Sequence, residues 1–137
     1  MAVIESAIQD NIARLRKIYD CFTSGDIKTM CTYMSDDAVI VEVQSLPYAG
    51  EYTGPSGLAE VIGHLGSTWD NLNFELEDIL ASETRAAGFG TFSGTARATG
   101  KPVSFKLAEV WTFKDGKVTR CEPIYGDTAA VREACGL

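Results

Sequence analysis

The chain has 137 residues, of which 45% are hydrophobic and 23% are charged, and its formal net charge at pH 7 is -7. This size and composition fit one soluble domain over residues 1–137 and leave too little chain for two. The acidic charge argues against a nucleic-acid partner, because phosphate binding needs clustered lysine and arginine. No run of about 18 apolar residues occurs, so the sequence predicts no membrane partner.

The N-terminal residues and the cysteines indicate a cytoplasmic protein. Residues 1–6 lack the basic flank and apolar stretch of a signal peptide. The four cysteines form no C-x-x-C pair, so we expect no zinc site and, in a reducing compartment, free thiols; a disulfide between two of them stays open. The single histidine, His64, lies off the apolar stripe of its helix, so we also expect no histidine metal centre.

Three helical segments come first along the chain. Residues 4–23 carry apolar side chains at helical spacing, and Ser24-Gly25 is expected to end this helix. Asp26 is a suitable cap for a short second helix. Residues 38–43 are apolar except for Glu42 and predict a strand buried on both faces. After a turn-rich connection, Pro55 suits the first turn of a third helix.

The chain from residue 74 onward has the pattern of strands. An Asp115-Gly116 pair predicts a hairpin between the last two strand segments. The tail, residues 128–134, fits one or two further helical turns. Three helices followed by a run of antiparallel strands predict an α+β fold. The predicted strand segments are 74–80, 85–97, 103–113 and 117–125.

Glu109 is the most unusual residue of these strands. Alternation along the strand places it on the same face as Val103, Phe105, Leu107, Trp111 and Phe113. Burying an unpaired charge is costly, so this carboxyl group should be protonated, paired or facing a cavity. A functional acid is one interpretation. The other is a structural acid that is paired with an arginine or held by a tyrosine hydroxyl.

Two further patterns have competing interpretations. Glu42 ends the apolar strand 38–43, where it is either a functional acid or a solvent-exposed strand-end acid. Residues 88–94, GFGTFSG, resemble a nucleotide-binding loop, but the third glycine comes one place too late and the segment lies within a strand. Glycines that let the sheet bend are therefore the preferred interpretation of this segment.

Several segments together resemble a known superfamily. They are YDCFTSGD at 19–26, MSDDAV at 34–39, YTGP at 52–55 and EVWTFKDGKV at 109–118. These segments are similar to the SnoaL-like and ketosteroid-isomerase-like families of the nuclear transport factor 2 superfamily, over about residues 8 to 128. The resemblance implies a cone in which a strongly curved, mostly antiparallel sheet packs around three N-terminal helices and encloses an apolar pocket. Homodimers that pair through the sheet are also implied.

The resemblance also implies roles for the two acids. Glu42 falls where ketosteroid isomerases carry their general base, and Glu109 where they carry a protonated acid that donates to the oxyanion. The family's oxyanion tyrosine on the first helix is matched by Ile18, and Tyr19, one place along, is turned by about 100°. The supporting tyrosine on the third helix is matched by Ile62. Steroid isomerisation by the family's network is therefore not expected.

The sequence as a whole predicts a cofactor-independent and metal-free enzyme of ketosteroid-isomerase or SnoaL-like type. Glu42 and Glu109 would transfer protons on a small apolar molecule that carries a carbonyl group, in an isomerisation, cyclisation or elimination. The alternative is a non-catalytic module that binds a hydrophobic ligand or dimerises. The residues expected to line the pocket are Ile18, Leu107, Trp111, Pro123 and Tyr125, with Tyr48, Tyr52 and Trp69 closing its mouth.

Overall fold

The computed structural model describes residues 2–137 and confirms the predicted α+β fold. Helices pack against one curved, unclosed sheet of six strands in the order β2-β1-β6-β5-β4-β3. Neighbouring strands are antiparallel except β1 and β6, which are parallel. The elements are α1 (Ala2–Ser24), α2 (Ile27–Cys31), β1 (Met34–Glu42), β2 (Gly50–Thr53), α3 (Gly54–Thr68), β3 (Trp69–Ala81), β4 (Arg85–Ala96), β5 (Pro102–Lys114), β6 (Lys117–Tyr125) and α4 (Thr128–Ala134).

Local signals explain where several elements begin and end. Asp26 caps α2 by accepting a hydrogen bond from the backbone N–H of Thr29. Pro55 lies in the first turn of α3, where its missing N–H is not needed. Asp115 and Gly116 join β5 to β6 with φ angles of 51° and 78°, as a tight hairpin turn requires.

β1 is buried on one face, so the expectation that both faces would be buried is wrong. Ala38, Ile40 and Glu42 point to the inner face of the sheet, and Ile40 is 2% exposed. Val39 and Val41 are half-buried because they point to the outer face.

The register of the sheet brings the two acids to the same level on its inner face. Glu109 on β5 pairs with Gly88 on β4 and with Pro123 on β6. In the parallel pair of β1 with β6, Ile40 lies opposite Cys121, so Glu42 comes level with Pro123 two residues further on. The acids are therefore two strands apart, a separation of about 10 Å between their Cα atoms at the usual strand spacing.

Candidate active site

The inner face of the sheet, α1 and α3 enclose a cavity that contains both acids. Its empty volume, including the part open to solvent, is about 660 Å³. Apolar side chains form most of the wall. The lining residues are Tyr19, Phe22, Met30, Ile40, Glu42, Leu58, Val61, Ile62, Leu65, Leu72, Phe74, Phe92, Leu107, Glu109, Trp111, Cys121, Pro123 and Tyr125.

Glu109 is held by a hydrogen-bond chain that begins at an indole. Trp111 Nε1 donates to the Tyr19 hydroxyl at 3.1 Å, and that hydroxyl donates to Glu109 Oε1 at 2.9 Å. An indole N–H can only donate, so it leaves the single hydroxyl proton of Tyr19 free to point at the carboxyl group. One oxygen of Glu109 is therefore held by a tyrosine hydroxyl, as the structural interpretation of this acid expected. The Glu109 side chain also lines the cavity.

Gly88 makes room for the Tyr19 ring. A Cβ atom at residue 88 would lie 2.2 Å from the Tyr19 hydroxyl oxygen and 2.4 Å from Cε2 of the ring. Since Gly88 pairs with Glu109 across β4 and β5, the ring reaches the acid by crossing the position that a side chain would occupy. This glycine thus has a specific packing role beside the site, in addition to any bending of the sheet.

Glu42 lies at the end of β1 and has no protein partner for one of its oxygens. The residue is 5% exposed, and its Oε2 atom is buried without a hydrogen-bond partner among residues 2–137. The solvent-exposed alternative for this acid is therefore wrong. Buried polar groups are usually hydrogen-bonded, so an unsatisfied carboxyl oxygen in a cavity wall is unusual.

The two acids differ in how readily they ionise. Burial, and to a smaller extent the nearby charge of Glu109, raise the pKa of Glu42 to about 8. Burial also raises the pKa of Glu109, to about 7, although the hydrogen bond from Tyr19 opposes the rise. The difference follows from the geometry, because Glu109 has a donor that stabilises its charge and Glu42 Oε2 has none. Burial raises the pKa of the Tyr19 hydroxyl above its usual value, so Tyr19 stays protonated.

Four of the predicted lining residues line the cavity and four do not. Leu107, Trp111, Pro123 and Tyr125 line it. Ile18 lies in the core instead, at 1% exposure, because the helix phase turns the neighbouring Tyr19 to the cavity. The three side chains expected at the mouth are buried and do not line the cavity, and their polar atoms are hydrogen-bonded within the protein: these are Tyr48, Tyr52 and Trp69.

Tyr19 lines the cavity and contacts Glu109, and the sequence did not assign it to the pocket. The helical pattern placed it beside the matching position, but only packing against the sheet determines which of two neighbouring residues faces inward. Phe92 and Gly88 on β4 were also missed as site residues. Alternation along β4, with its even positions facing inward, is the signal that would have found them.

Other expectations concern cofactors, cysteines and membranes. Within residues 2–137, no three His, Cys, Asp or Glu side chains converge as metal ligands. The four cysteines are free thiols. Across the same residues, the helices are too short or too polar to cross a membrane.

The free energy of unfolding is expected to fall as the pH rises from about 5 to 8. The unfolded state releases the Glu42 proton near pH 4.5, whereas the folded state keeps it up to about pH 8. Folded protein therefore binds more protons in this window, and a single group of this kind lowers stability by roughly 1.4 kcal/mol per pH unit. Chemical denaturation at several pH values should show this slope and its reduction in Glu42→Gln. An unchanged slope in that variant would contradict the assignment.

Solved structures share this fold. An NTF2-like protein from Burkholderia thailandensis E264 is 28% identical, with a TM-score of 0.84 over 89% of this chain and 94% of its own. TerC, co-crystallized with polyporic acid, is 25% identical, with a TM-score of 0.82 over 93% of this chain and 99% of its own.

Sequence comparison leads to the same family. Patulin biosynthesis cluster protein F of Penicillium expansum is 30% identical over 78 residues, which are 53% of this chain and 38% of that relative. The chain thus matches well under half of the relative's length. The sequence model of the SnoaL-like domain family matches residues 15–121, from α1 to β6. This range includes Tyr19, Glu42 and Glu109. The protein belongs to the SnoaL-like domain family.

Proposed function

We propose that the cavity catalyses cofactor-independent proton transfer on a small apolar molecule that carries a carbonyl group. The reaction is an isomerisation, cyclisation or elimination. One acid removes a proton from the carbon beside the carbonyl, and its electron pair moves onto the carbonyl oxygen. The other acid holds that oxygen by a hydrogen bond, and the proton then returns to carbon or a leaving group departs.

The observation that carries this proposal is a pair of acids on one apolar cavity, Glu42 buried and Glu109 half-buried, neither of them paired with a cation in the described residues. In residues 2–137, the ion pairs involve other acids, all on the surface: Glu60, Asp70, Glu77 and Glu122. A cavity that only bound an apolar ligand would gain nothing from two desolvated carboxyl groups, which cost free energy to bury. Titratable groups with raised pKa values in a cavity are typical of catalytic sites.

The hydrogen bonds support a specific division of roles. Glu109 accepts the Tyr19 proton and is therefore the acid that ionises first, so it is the general base. Glu42 keeps its proton near neutral pH and donates it as a hydrogen bond to the developing oxyanion. These two roles are the reverse of those that the family resemblance implies, in which Glu42 is the base and Glu109 the donor. The physical reason is that the tyrosine donor lies at Glu109 and none lies at Glu42 Oε2.

Two relatives support a small organic molecule as the ligand. TerC was co-crystallized with polyporic acid, and the Penicillium expansum relative belongs to a patulin biosynthesis cluster. Both names connect the fold to small organic compounds. The apolar wall of the present cavity is consistent with a ligand of that kind.

A decalone in D₂O provides a test that does not require knowledge of the natural substrate. We expect the protein to accelerate exchange of the protons beside the carbonyl for deuterium, measured by NMR. Native mass spectrometry of freshly purified protein is the companion measurement for a bound molecule. Binding of the decalone without accelerated exchange would support the ligand-binding alternative and contradict the proton-transfer proposal.

We also propose that the outer face of the sheet joins two copies of the chain. This face carries three exposed apolar side chains: Leu80 (64% exposed), Phe89 (40%) and Ile124 (56%). Phe89 on β4 and Ile124 on β6 both lie opposite Ala108 on β5. Exposed apolar patches of this kind mark interaction surfaces. We expect a dimer by sedimentation velocity at micromolar concentration and a monomer in Phe89→Asp. Val3→Asp, on α1, is the control. A monomeric wild-type protein would contradict this proposal.

A further inference from the structure

The cavity wall contains a second chain of hydrogen bonds that also begins at an indole. Trp69 Nε1 lies 3.4 Å from the Tyr48 hydroxyl, which lies 2.8 Å from the Tyr125 hydroxyl. Trp69 and Tyr48 are buried behind the wall at 1% and 4% exposure, whereas Tyr125 lines the cavity. The chain therefore leads from the protein interior to the cavity surface.

The direction of this chain follows from the donors that are available. The Trp69 indole can only donate, so Tyr48 accepts from it. If Tyr48 also accepted from Tyr125, its own proton would be left without an acceptor in the protein interior, which is costly. Tyr48 therefore donates to Tyr125. The Tyr125 proton then has no acceptor within residues 2–137, and it is the one proton of the chain that a molecule in the cavity can reach.

Surrounding aromatic rings hold Tyr125 in place. Its ring centroid lies 6.1 Å from that of Phe92 and 5.4 Å from that of Phe105. Apolar surroundings strengthen a hydrogen bond to this hydroxyl, and the donor chain behind it polarises it further. Burial raises the pKa of Tyr125 above its usual value, so the hydroxyl stays protonated and remains a donor.

Tyr125 lies one level away from the two acids. It follows Pro123, the residue level with Glu42 and Glu109, by two positions on the same face of β6, a distance of about 6.6 Å along a strand. This offset leaves room for a ligand oxygen at Tyr125 that is a different atom from the carbonyl oxygen at Glu42.

We propose that Tyr125 donates a hydrogen bond to a second oxygen of the ligand. The substrate class is then an apolar molecule with two oxygen functions: a carbonyl at the acids and a second acceptor, such as a ketone or ether, at Tyr125. This inference rests on the proposed function in that the first oxygen lies at the acids. It goes further because it assigns a specificity-determining residue and a substrate feature.

The test compares the binding of two probes by calorimetry. One is a decalone, and the other is the matching decalindione, whose second carbonyl lies on the other ring. We expect wild-type protein to bind the dione about 5- to 10-fold more tightly, the value of one neutral hydrogen bond. Tyr125→Phe should lose this preference while its affinity for the decalone stays unchanged, which shows that the cavity is intact.

Tyr48→Phe is the matched control. It removes a hydroxyl from the same chain but leaves the Tyr125 proton in place, so it should keep most of the dione preference. A gain in preference would mean that Tyr125 normally donates to Tyr48 and would overturn the proposal. Equal losses for both probes in Tyr125→Phe, or no loss for either, would also overturn it. If Tyr125→Phe does not fold, the wild-type protein decides, because equal affinity for both probes contradicts a second oxygen site.

The binding test separates this inference from the proposed function. It needs no turnover, so a protein that binds both probes without exchanging protons still answers it. Glu42→Gln changes only the site of the first oxygen, so it should keep the ratio between the affinities for the two probes. Accelerated exchange with no dione preference would leave the proposed function standing and remove the role of Tyr125 alone.

Discussion

Replacing Glu109 with glutamine is expected to reduce decalone proton exchange by about 10²–10⁴-fold, the usual contribution of a positioned acid or base. Glutamine keeps the size of the side chain and can still accept the hydrogen bond from Tyr19, but it cannot take a proton. Affinity for the decalone should change little. Exchange followed by NMR, together with calorimetric binding, measures both quantities.

Glu77→Gln is the control for this substitution. Glu77 is also a strand glutamate, but it lies at the surface, where it accepts hydrogen bonds from Lys106 and Thr91. The Glu77→Gln variant should leave the rate of decalone proton exchange unchanged. Normal exchange in Glu109→Gln would remove Glu109 as the base, and a large loss in Glu42→Gln alone would restore the roles that the family resemblance implies.

The pH profile of exchange provides a check on the same assignment. The base must be ionised, so the rate should rise as the pH passes about 7, where Glu109 loses its proton. The acid must be protonated, so the rate should fall above about pH 8, where Glu42 ionises. The two pKa values lie close together, so the plot of rate against pH should be a narrow bell. Both values belong to the interacting pair of acids. In Glu42→Gln the fall at high pH should disappear, since an amide donates without titrating.

Gly88→Ala is expected to reduce both stability and exchange. The added methyl group meets the Tyr19 ring at 2.2 to 2.6 Å, so the ring must move and its hydrogen bond to Glu109 is lost. Overpacking of this kind costs roughly 1–3 kcal/mol of unfolding free energy. Without the Tyr19 donor, the pKa of Glu109 should rise, so the rising side of the pH profile moves to higher pH. Chemical denaturation and the exchange profile measure the two effects.

Two controls isolate the contact between Gly88 and Tyr19. Gly66→Ala adds the same methyl group in open space on α3 and should have no such cost. A double-mutant cycle with Tyr19→Leu removes the ring that causes the clash, so Gly88→Ala should cost less in that background. Equal costs in both backgrounds would mean that the clash lies elsewhere.

Periodicity explains what the sequence predicted well. Alternation along β5 predicted that Glu109 shares a face with Leu107 and Trp111, and all three line the cavity. The order of helices and strands predicted the α+β fold, and the structure confirms it. These patterns depend on side-chain directions that repeat every 2 or 3.6 residues, so they can be read within one element.

The residues that were placed wrongly depend on the relation between elements. Whether Ile18 or Tyr19 faces the cavity is decided by the rotation of α1 against the sheet, which no pattern within α1 specifies. Tyr48 lies in the connection between β1 and β2, where no periodicity applies. Its hydroxyl is buried by Trp69 and Tyr125, which come later in the chain.

The sequence by itself therefore determined the fold class and the strand face that carries Glu109, because both follow from local spacing, whereas the role of Glu42 came from the family resemblance. Only the tertiary structure decided how the acids differ. The Tyr19 hydroxyl meets Glu109 across 90 positions of the chain, and Gly88 makes that contact possible. Glu42 Oε2 is left without a donor. Hydrogen bonds between distant segments set the order in which buried acids ionise, and they exist only after the chain has folded.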